Sequence, residues 1–542
     1  MNGNGENEHT GIGDAPTRRR FPLWLIIAAT VLVAVIVLLQ YSASNLDHAA
    51  VNVATLLLVA LGGTVALSWF ALRSGFHPLI CLLVPALSVA SMVVFFVYFE
   101  IAHVDGELVP TFRRRGAPAR DELLGLPDVA QPEAANLNET GPDDFPQFLG
   151  PHADAAVDKF TLNLDWNQNP PELLWRQSIG AGWSAFSAVN GFAVTMEQRG
   201  EDELVSCYEV ETGKLLWFHA VKARHETFLG GTGPRSTPTI HEGRVYALGA
   251  TGILRCLEGA SGQEVWTVDV MKLANTSPDK DIKVVAWGRA ASPLLYKDLV
   301  ILPAGGPPGG PFVSLVALDK SNGELIWQAG NRQVSYSTPK LATLAGVQQV
   351  LSLNEDNISS HDPDSGEILW QHPRPGSSDT EANTTQPLVL PDDRVLLTKG
   401  YGGGALLFKV TRSQETWSTE MLYEETRLLK TKFTNCAVLG DHVYGLSDGI
   451  LECVSWQTGQ RAWKRGRYRH GQLLRVGNAL LVLTESGELV LVEATPEGHV
   501  ELGSMQALDG KTWNNLCLYG PYLLLRNSRE AACYRLAMTA QE

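Results

Sequence analysis

A tight turn followed four residues later by tryptophan recurs along the chain and constrains its fold more than any other feature. The residue before the turn glycine is Thr, Ser or Asn, whose side chain can bond the local backbone, while glycine accepts a positive φ. Short, alternating, apolar strands precede each turn, and the units repeat roughly every 40–50 residues, which is the length of a propeller blade. The pairs are Gly213 with Trp217, Gly262 with Trp266, Gly323 with Trp327, Gly366 with Trp370 and Gly459 with Trp463.

The opening of each unit gives an independent count of eight. Seven of the eight openings contain Ser, Thr or Asn, often followed by Pro, and the opening Arg469–Gln472 has Gln instead. The openings are Trp183–Ser184, Arg235–Pro238, Arg289–Pro293, Ser337–Pro339, Asn383–Pro387, Lys432–Asn435, Arg469–Gln472 and Trp513–Asn515. The last unit has a third strand at Ala531–Leu536 but no tryptophan strand, whereas Glu172–Gln177 is a tryptophan strand with no unit before it. We therefore predict that Trp175 completes the eighth blade, which closes the ring and removes the exposed sheet edges.

The repeated tryptophans are interpreted as packing residues between blades, because each buries a large apolar area there. A cofactor site made of these residues is not expected. The predicted docking residues are Trp175, Trp217, Trp266, Trp327, Trp370, Trp417 and Trp463, with Trp417 closing a degenerate copy of the repeat. The fold class is thus an all-β, eight-bladed propeller with four-stranded blades.

Three apolar runs precede the propeller, at Phe21–Leu39, Val51–Leu72 and Pro78–Phe99, and none contains Asp, Glu, Lys or Arg. Runs of this length can cross about 30 Å of hydrocarbon as helices. We predict three transmembrane helices at about 21–41, 51–72 and 78–99, with residues 103–144 as a linker and residues 145–542 as the propeller.

Basic residues indicate how the helices are oriented. Arg18–Arg20 precede the first helix and Arg73 lies between the second and third. The loop between the first and second helices has no Lys or Arg, and its titratable residues are Asp47 and His48. The positive-inside rule then gives a cytoplasmic tail, 1–20, and a periplasmic propeller. The cluster Arg113–Arg115 with Arg120 opposes this orientation, but it lies more than ten residues beyond the third helix, where the rule weakens.

Composition argues against two classes of function, nucleic-acid binding and a metal or redox role for the cysteines. The formal net charge of −15 argues against a nucleic-acid-binding protein, which needs a basic face. The seven cysteines include no Cys-Cys pair and no CxxC motif. Cys207, Cys256 and Cys453 occupy equivalent positions six residues before a turn glycine, so they lie on different blades, too far apart for a disulfide. We predict no metal or redox role for them.

The repeat resembles a known family. The segment from Cys207 to Trp217, CYEVETGKLLW, is similar to the pyrroloquinoline-quinone (PQQ) repeat of quinoprotein dehydrogenases and their non-catalytic relatives. The opening FPQFLGP, Phe145–Pro151, resembles the start of many bacterial PQQ-like propellers. The resemblance covers about residues 145–542 and implies eight W-shaped blades. In the dehydrogenases of this family, a quinone lies over the central channel, where it stacks on a tryptophan and is held beside Ca²⁺ by carboxylate and amide ligands, with an Asp as base. The resemblance implies such a site only for catalytic members of the family.

This chain departs from the catalytic pattern of that family. It has no vicinal cysteine pair, and its eight opening stretches contain no Asp or Glu, although Ca²⁺ needs several oxygen ligands. Glu226 and Asp379, on neighbouring loops, are the only carboxylates that suggest a base or a ligand. No catalytic residue and no metal site are therefore predicted, and PQQ enters only through the resemblance.

The openings are instead basic and aromatic, with Arg467 and Tyr468 adjacent. Arginine forks and flat rings suit a planar polycarboxylate or an acidic peptide. The alternative is that these residues bond loop carbonyls and neighbouring blades. The candidate ligand-binding residues are Trp183, Arg235, Trp287, Arg289, Lys430, Lys432, Arg469, His470 and Trp513.

The sequence thus favours a membrane-tethered, non-catalytic scaffold of the bacterial cell envelope, which binds a protein partner or an anionic small ligand through its central face. The resemblance offers an analogy in the propeller lipoprotein of the outer-membrane barrel-assembly machinery. The alternative is a PQQ-dependent alcohol or sugar dehydrogenase that passes electrons to membrane quinone, but the three helices carry few polar residues for a quinone site. A sensor is a third hypothesis, with only residues 1–20 for a cytoplasmic output.

Overall fold

The computed structural model describes residues 22–42, 48–129, 134–138 and 141–539. The predicted tail 1–20, Phe21 and Asp47 lie outside the described residues. The chain forms two compact units. One contains Met1–Glu100 with Arg113–Arg115, and the other contains Ile101–Phe112 with Gly116–Glu542.

The first unit contains the three long apolar helices that the sequence predicts. They are α1 (Leu23–Ser42), α2 (His48–Arg73) and α3 (Pro78–Tyr98). Each is long and apolar enough to cross a membrane. Pro78 stands in the first turn of α3, where a proline costs no intrahelical hydrogen bond. The prediction of three apolar helices before the propeller is confirmed.

A β-hairpin follows α3 directly. Its strands are β1 (Phe99–Val104) and β2 (Pro110–Arg114). Asp105 closes the loop, because its Oδ1 accepts hydrogen bonds from the backbone N–H of Glu107 (3.0 Å) and of Val109 (2.8 Å). We call residues Val104–Val109 the tip. Short helix α4 (Arg120–Leu124) comes next. Buried Asp121 in this helix accepts a 2.6 Å hydrogen bond from Arg224.

The second unit contains eight antiparallel blades of four strands each, as predicted. Blades one to four are Ser187–Val189, Phe192–Arg199, Asp202–Glu209, Leu215–Lys222; Thr239–His241, Arg244–Leu248, Ile253–Glu258, Glu264–Asp269; Leu294–Tyr296, Leu299–Gly305, Val313–Asp319, Leu325–Ala329; and Lys340–Leu344, Val347–Leu353, Asn357–His361, Ile368–Pro373. Blades five to seven are Leu388–Leu390, Arg394–Lys399, Gly404–Ser413, Thr416–Glu425; Ala437–Leu439, His442–Ser447, Ile450–Ser455, Gln460–Arg467; and Gln472–Val476, Ala479–Leu483, Glu488–Glu493, Glu501–Gln506.

The ring closes as the sequence predicts. Blade eight takes Cys517–Tyr519, Tyr522–Arg526 and Glu530–Arg535 from the end of the chain, and its outer strand is β4 (Glu172–Ser178) from the beginning of the propeller. Trp175 in β4 stands opposite Cys533. Strand β3 (Ala156–Val157) adds a fifth, parallel strand to blade seven.

Short elements complete the connections between blades. The strands Glu226–Thr227 and Gly231–Thr232 pair between blades one and two. Between blades two and three, α5 (Val270–Leu273) and α6 (Pro278–Asp281) occupy the long insertion.

Strand direction defines two faces of the ring. Strands alternate in direction within a blade, so the links from first to second strand and from third to fourth lie on one face. We call it the turn face. The links from second to third strand, and from one blade to the next, lie on the other, which we call the loop face.

Four docking tryptophans, Trp175, Trp217, Trp266 and Trp327, pack against the turn glycine of the next blade. At Gly213, whose φ is +72°, an added Cβ would lie 2.6 Å from the indole of Trp175. At Gly366 it would lie 2.6 Å from that of Trp327. A larger side chain would therefore displace the indole, so glycine serves both the turn and the close approach. Most of these indoles also donate a hydrogen bond, such as Trp217 Nε1 to the Gly259 carbonyl (2.9 Å).

Blade five departs from this pattern. The structure places Tyr423, rather than the predicted Trp417, at the docking register, opposite Leu407 and beside the bulge that marks this position in other blades. The Tyr423 ring lies against Gly459 of the next blade. Trp417 stands further along the same strand, opposite Arg412, whose guanidinium lies 5.3 Å from the indole centroid.

Four cysteines stand directly opposite docking tryptophans in the register of the strands. The pairs are Cys207 with Trp217, Cys256 with Trp266, Cys453 with Trp463 and Cys533 with Trp175. All four thiols are buried and form no disulfide. Burial raises the pKa of each thiol, to about 11 for Cys256, which keeps it protonated and inert.

The Ser, Thr and Asn residues of the blade openings fasten neighbouring blades together. The Thr237 N–H donates to Ser292 Oγ of the following opening (2.9 Å), and the Ser292 N–H donates to Thr338 Oγ1 of the next (2.9 Å). The Gln386 N–H likewise donates to Asn435 Oδ1 (2.9 Å). These hydrogen bonds satisfy buried backbone groups, which explains the residue types that recur there.

Candidate functional site

The loop face brings two of the predicted rim aromatics into contact. The rings of Trp183 and Trp513 have centroids 4.8 Å apart, and Phe433 lies 4.8 Å from Trp513. The Lys511 ammonium lies 4.0 Å from the Trp513 ring centroid and 4.9 Å from that of Trp183. Blades one, six and eight thus contribute to one aromatic cluster that holds a cation.

A second aromatic group lies around Trp287. Its ring centroid is 5.1 Å from that of Tyr336 and 6.1 Å from that of Tyr401. Lys432 Nζ lies 5.8 Å from the Tyr401 ring centroid. Predicted residues Trp287 and Lys432 therefore belong to the same part of the loop face.

Two predicted arginines are engaged in holding loops. Arg235 donates to the carbonyls of Gly230 (2.7 Å), Gly231 (3.1 Å) and Gly233 (2.5 Å). Arg289 is buried and donates to Asp281 Oδ1 of α6 (2.7 Å) and to the Ala304 carbonyl (2.6 Å). Their guanidinium groups are occupied by their own blades, which is the structural alternative that the sequence left open.

Three further side chains named from the sequence, Lys430, Glu226 and Asp379, also have local partners. Lys430 forms an ion pair with Asp448. Glu226 accepts a 2.8 Å hydrogen bond from Arg224, which also binds Asp121 of α4.

Asp379 accepts hydrogen bonds from Ser377 and Thr380, and these lower the pKa of its carboxyl. A carboxyl with a lowered pKa is a poor general base at neutral pH.

The tip binds the loop face over blades six to eight. Lys511 Nζ donates to the Val104 carbonyl (3.0 Å), the Gly106 N–H donates to Glu485 Oε1 (2.7 Å), and Lys432 Nζ reaches the Gly106 carbonyl at 3.5 Å. We call the contacting side chains the rim cluster. It consists of Lys432, Arg467, Arg469, His470, Glu485 and Lys511.

Ion pairs accompany these hydrogen bonds. Arg469 lies 3.6 Å from Asp105 and 4.0 Å from Glu107, and Arg467 lies 3.6 Å from Glu107. A Cβ added to Gly106 would lie 2.9 Å from His470 Cβ, so the backbone approaches the imidazole closely. The acidic tip is therefore complementary to the cations of the rim cluster.

Glu485 is the buried carboxylate of the rim cluster, with 3% of its surface exposed. Its Oε1 accepts hydrogen bonds from the Gly106 N–H and from Trp513 Nε1 (2.7 Å each), while Oε2 has no hydrogen-bond partner among the described residues. Burial raises the pKa of Glu485. Burial also lowers the pKa of Lys511, to about 8, although the nearby carboxylates of Glu485 and Asp105 oppose that shift.

The residues of the loop face do not fit a calcium-bound quinone. Within the described residues, no group of three or more His, Cys, Asp or Glu side chains is arranged to hold a metal ion. A cation placed at the rim cluster would meet Lys432, Arg469 and Lys511, and the tip already occupies their polar atoms. Like charges within a few ångströms disfavour such a site.

Sequence reasoning missed several residues of this site. Glu485 and Tyr401 lie in links between second and third strands, outside the blade openings whose composition indicated the other candidates. Lys511 and Phe433 lie in or beside openings already identified. Asp105 was missed because residues 103–144 were interpreted as a linker, and the loop of residues 105–109 is not a two-residue Asp-Gly turn: Glu107 follows Gly106, and Leu108 takes the positive φ.

The turn face is covered by a different segment, Phe145–Val157, which we call the inner segment. It pairs with blade one through Phe145 and Ala188, and with blade seven through β3. A cavity of about 370 Å³ lies between it and the inner strands of blades two to four. Buried Lys340 donates to the Ala153 carbonyl there (3.0 Å), and burial lowers the pKa of its ammonium.

A family model and a known protein that match this chain carry the same description. The family model described as Outer membrane protein assembly factor BamB matches residues 167–333 and 201–465, which together exceed half of the chain. The outer membrane protein assembly factor BamB of Yersinia pestis is 23% identical over 351 residues, covering 54% of this chain and 81% of that protein.

Solved structures give the same architecture. Quinohemoprotein alcohol dehydrogenases from Comamonas testosteroni and Pseudomonas putida HK5 superpose with a TM-score of 0.54, at 12% and 13% identity. Each match covers 76% of this chain and 84% of the dehydrogenase. At this identity the likeness shows the fold alone.

Proposed function

Because the chain belongs to the PQQ-like propeller family whose model is described as Outer membrane protein assembly factor BamB, we propose that it is a membrane-tethered, non-catalytic scaffold of the bacterial cell envelope. The three apolar helices supply the tether. The propeller supplies a rigid ring whose loop face presents the binding residues.

One observation carries this proposal. The tip occupies the rim cluster, where Lys511, Glu485 and Lys432 bind backbone atoms of residues 104–106. These groups recognise polypeptide, and the donor set around them does not suit a metal-held quinone. A site that already binds a peptide turn favours protein recognition over redox chemistry.

The test uses the full chain in detergent micelles or nanodiscs. PQQ and Ca²⁺ are added, binding is followed by calorimetry, and reduction of an artificial dye is followed with alcohols and sugars. We expect neither saturable PQQ binding nor dye reduction. Turnover that requires PQQ would contradict the proposal and establish the alternative, a PQQ-dependent dehydrogenase that feeds electrons to membrane quinone.

Periplasmic location of the propeller, with the tail 1–20 in the cytoplasm, is part of the proposal. Arg18–Arg20 and Arg73 support it through the positive-inside rule. Protease added to intact spheroplasts should digest the propeller and leave a fragment containing the three helices. A propeller that resists digestion until the membrane is permeabilised would reverse the orientation.

A further inference from the structure

The rim cluster recognises features that any acidic β-turn shares. Three of its contacts are to backbone atoms, the carbonyls of Val104 and Gly106 and the Gly106 N–H. The remaining contacts are ion pairs with the two carboxylates that flank this glycine, Asp105 and Glu107. Backbone contacts and carboxylate pairing specify the shape and charge of a turn and little else about its sequence.

The rim cluster is built for such a ligand. Four cationic side chains contact the tip, against one carboxylate, and two carboxylates from the tip reduce this excess of positive charge. Glu485 is buried and accepts the turn's backbone N–H, and its second oxygen has no partner among the described residues. Burying a carboxylate costs free energy unless hydrogen-bond donors replace the water that it loses, and here the backbone N–H of a peptide turn is such a donor.

The tip is held in a way that permits exchange. The side chains of Asp105 and Glu107 are 19% and 9% exposed, but their partner Arg469 is 50% exposed and the ion pairs are 3.6–4.0 Å long, so solvent and salt reach them from the arginine side and weaken them. Leu108, Val109 and Phe112 of the hairpin remain exposed, so Val104 is the buried apolar residue of the tip. Dissociation therefore does not require the blades to unfold.

We propose that the rim cluster is a receptor site for acidic β-turns, occupied in the resting protein by its own tip and taken over by an acidic turn of a partner protein. This inference rests on the proposed scaffold function and names the chemistry of its partner. A tethered segment competes at an effective concentration of the order of millimolar, so a partner needs a comparable local concentration or additional contacts.

A peptide-binding experiment tests the site. The probe is a fluorescein-labelled cyclic peptide with the sequence of residues 103–110, and binding to the full chain in detergent is followed by fluorescence anisotropy. In the double variant Asp105→Lys/Glu107→Lys the tip is repelled, so we expect the peptide to bind at least tenfold more tightly than to the wild-type chain. Raising NaCl from 50 to 500 mM should weaken this binding several-fold.

Two controls fix the chemistry of recognition. A peptide with Asn and Gln in place of its Asp and Glu should bind the double variant at least tenfold more weakly. Adding Arg469→Glu to the double variant should also abolish binding, with its circular dichroism and melting temperature showing that it folds. Equal peptide affinity for the wild-type chain and the double variant, or no binding to the variant, overturns the proposal.

A cross-linking experiment tests exchange in the tethered chain. A Cβ built on Gly106 lies 2.9 Å from His470 Cβ, whereas bridged Cβ atoms lie about 3.8 Å apart, so the variant Gly106→Cys/His470→Cys can form a disulfide once the tip shifts outward by about 1 Å. The peptide should slow disulfide formation in proportion to its concentration, and the Asn/Gln peptide should not. An unchanged rate would show a permanently bound tip and overturn the proposal, whereas loss of the scaffold function would instead appear as PQQ-dependent turnover.

Discussion

The two ends of the propeller ring are covered by extra segments that bind in opposite ways. On the turn face, the inner segment pairs with sheet edges and buries Phe145, Leu149 and Ala155, of which Phe145 is 1% exposed. On the loop face, the tip binds through ion pairs and three backbone contacts. Apolar burial and strand pairing make the inner segment part of the fold, whereas charge makes the tip a ligand.

The largest effect should come from the turn face. Phe145→Ala removes a ring that packs in the same apolar cluster as Val157, Leu162 and Trp166. Truncation of a buried phenylalanine costs the transfer free energy of the ring and leaves a cavity, so we expect the free energy of unfolding to fall by about 3–5 kcal/mol. Urea unfolding of the full chain in detergent, followed by tryptophan fluorescence, measures the change.

A matched control comes from the loop face. Phe228 is 49% exposed, so Phe228→Ala should change the free energy of unfolding by less than about 0.5 kcal/mol. If the two variants lost equal stability, the inner segment would not contribute to the core and the contrast between the two faces would disappear.

A smaller effect should come from the pH dependence of the loop face. Burial lowers the pKa of Lys511 to about 8, below the value of about 10.4 for an unfolded lysine. Between these values the unfolded chain binds more protons, so this group makes the folded protein more stable as pH rises from 8 to 10. Lys511→Met should remove about 1–2 kcal/mol of that rise.

The measurement is the urea midpoint at pH 8, 9 and 10 for the wild-type chain and the variant. Lys272 is largely exposed, at 82% of its side chain, so Lys272→Met is the control and should follow the wild-type pH profile. A Lys511→Met profile parallel to that of the wild-type chain would mean that the ammonium is well solvated at the rim.

The architecture could be predicted because its cause is local and repeated. A turn glycine such as Gly213 and a tryptophan such as Trp217 lie four residues apart, and their repetition specifies the blade and the contact between blades. Closure by Trp175 followed from counting strands. The docking residue of blade five could not be found this way, because Tyr423 replaces tryptophan and the two strands extend to ten residues.

The candidate site was less predictable because its contacts are distant in sequence. The positive residues around Arg469 and Lys432 were identified, but Asp105, which faces Arg469, lies more than 300 residues earlier in the chain. Nothing in the composition of an opening shows whether its arginine will bind a loop carbonyl, as Arg235 does, or another segment. Only the three-dimensional arrangement separates these two roles.

The smallest change in stability, and the sharpest test of the contrast, should come from the tip. Asp105→Lys/Glu107→Lys breaks ion pairs that are 3.6–4.0 Å long and whose arginines are 32–50% exposed, so we expect the free energy of unfolding to change by less than about 1 kcal/mol. The Gly106 amide, which donates to Glu485, should nevertheless exchange its hydrogen at least tenfold faster, while the Phe145 amide, bound to the Ala188 carbonyl, should not change. Hydrogen–deuterium exchange with mass spectrometry reads both segments in one experiment. Parallel acceleration at both segments would mean that the tip supports the whole ring, and the loop face could then not release it without unfolding.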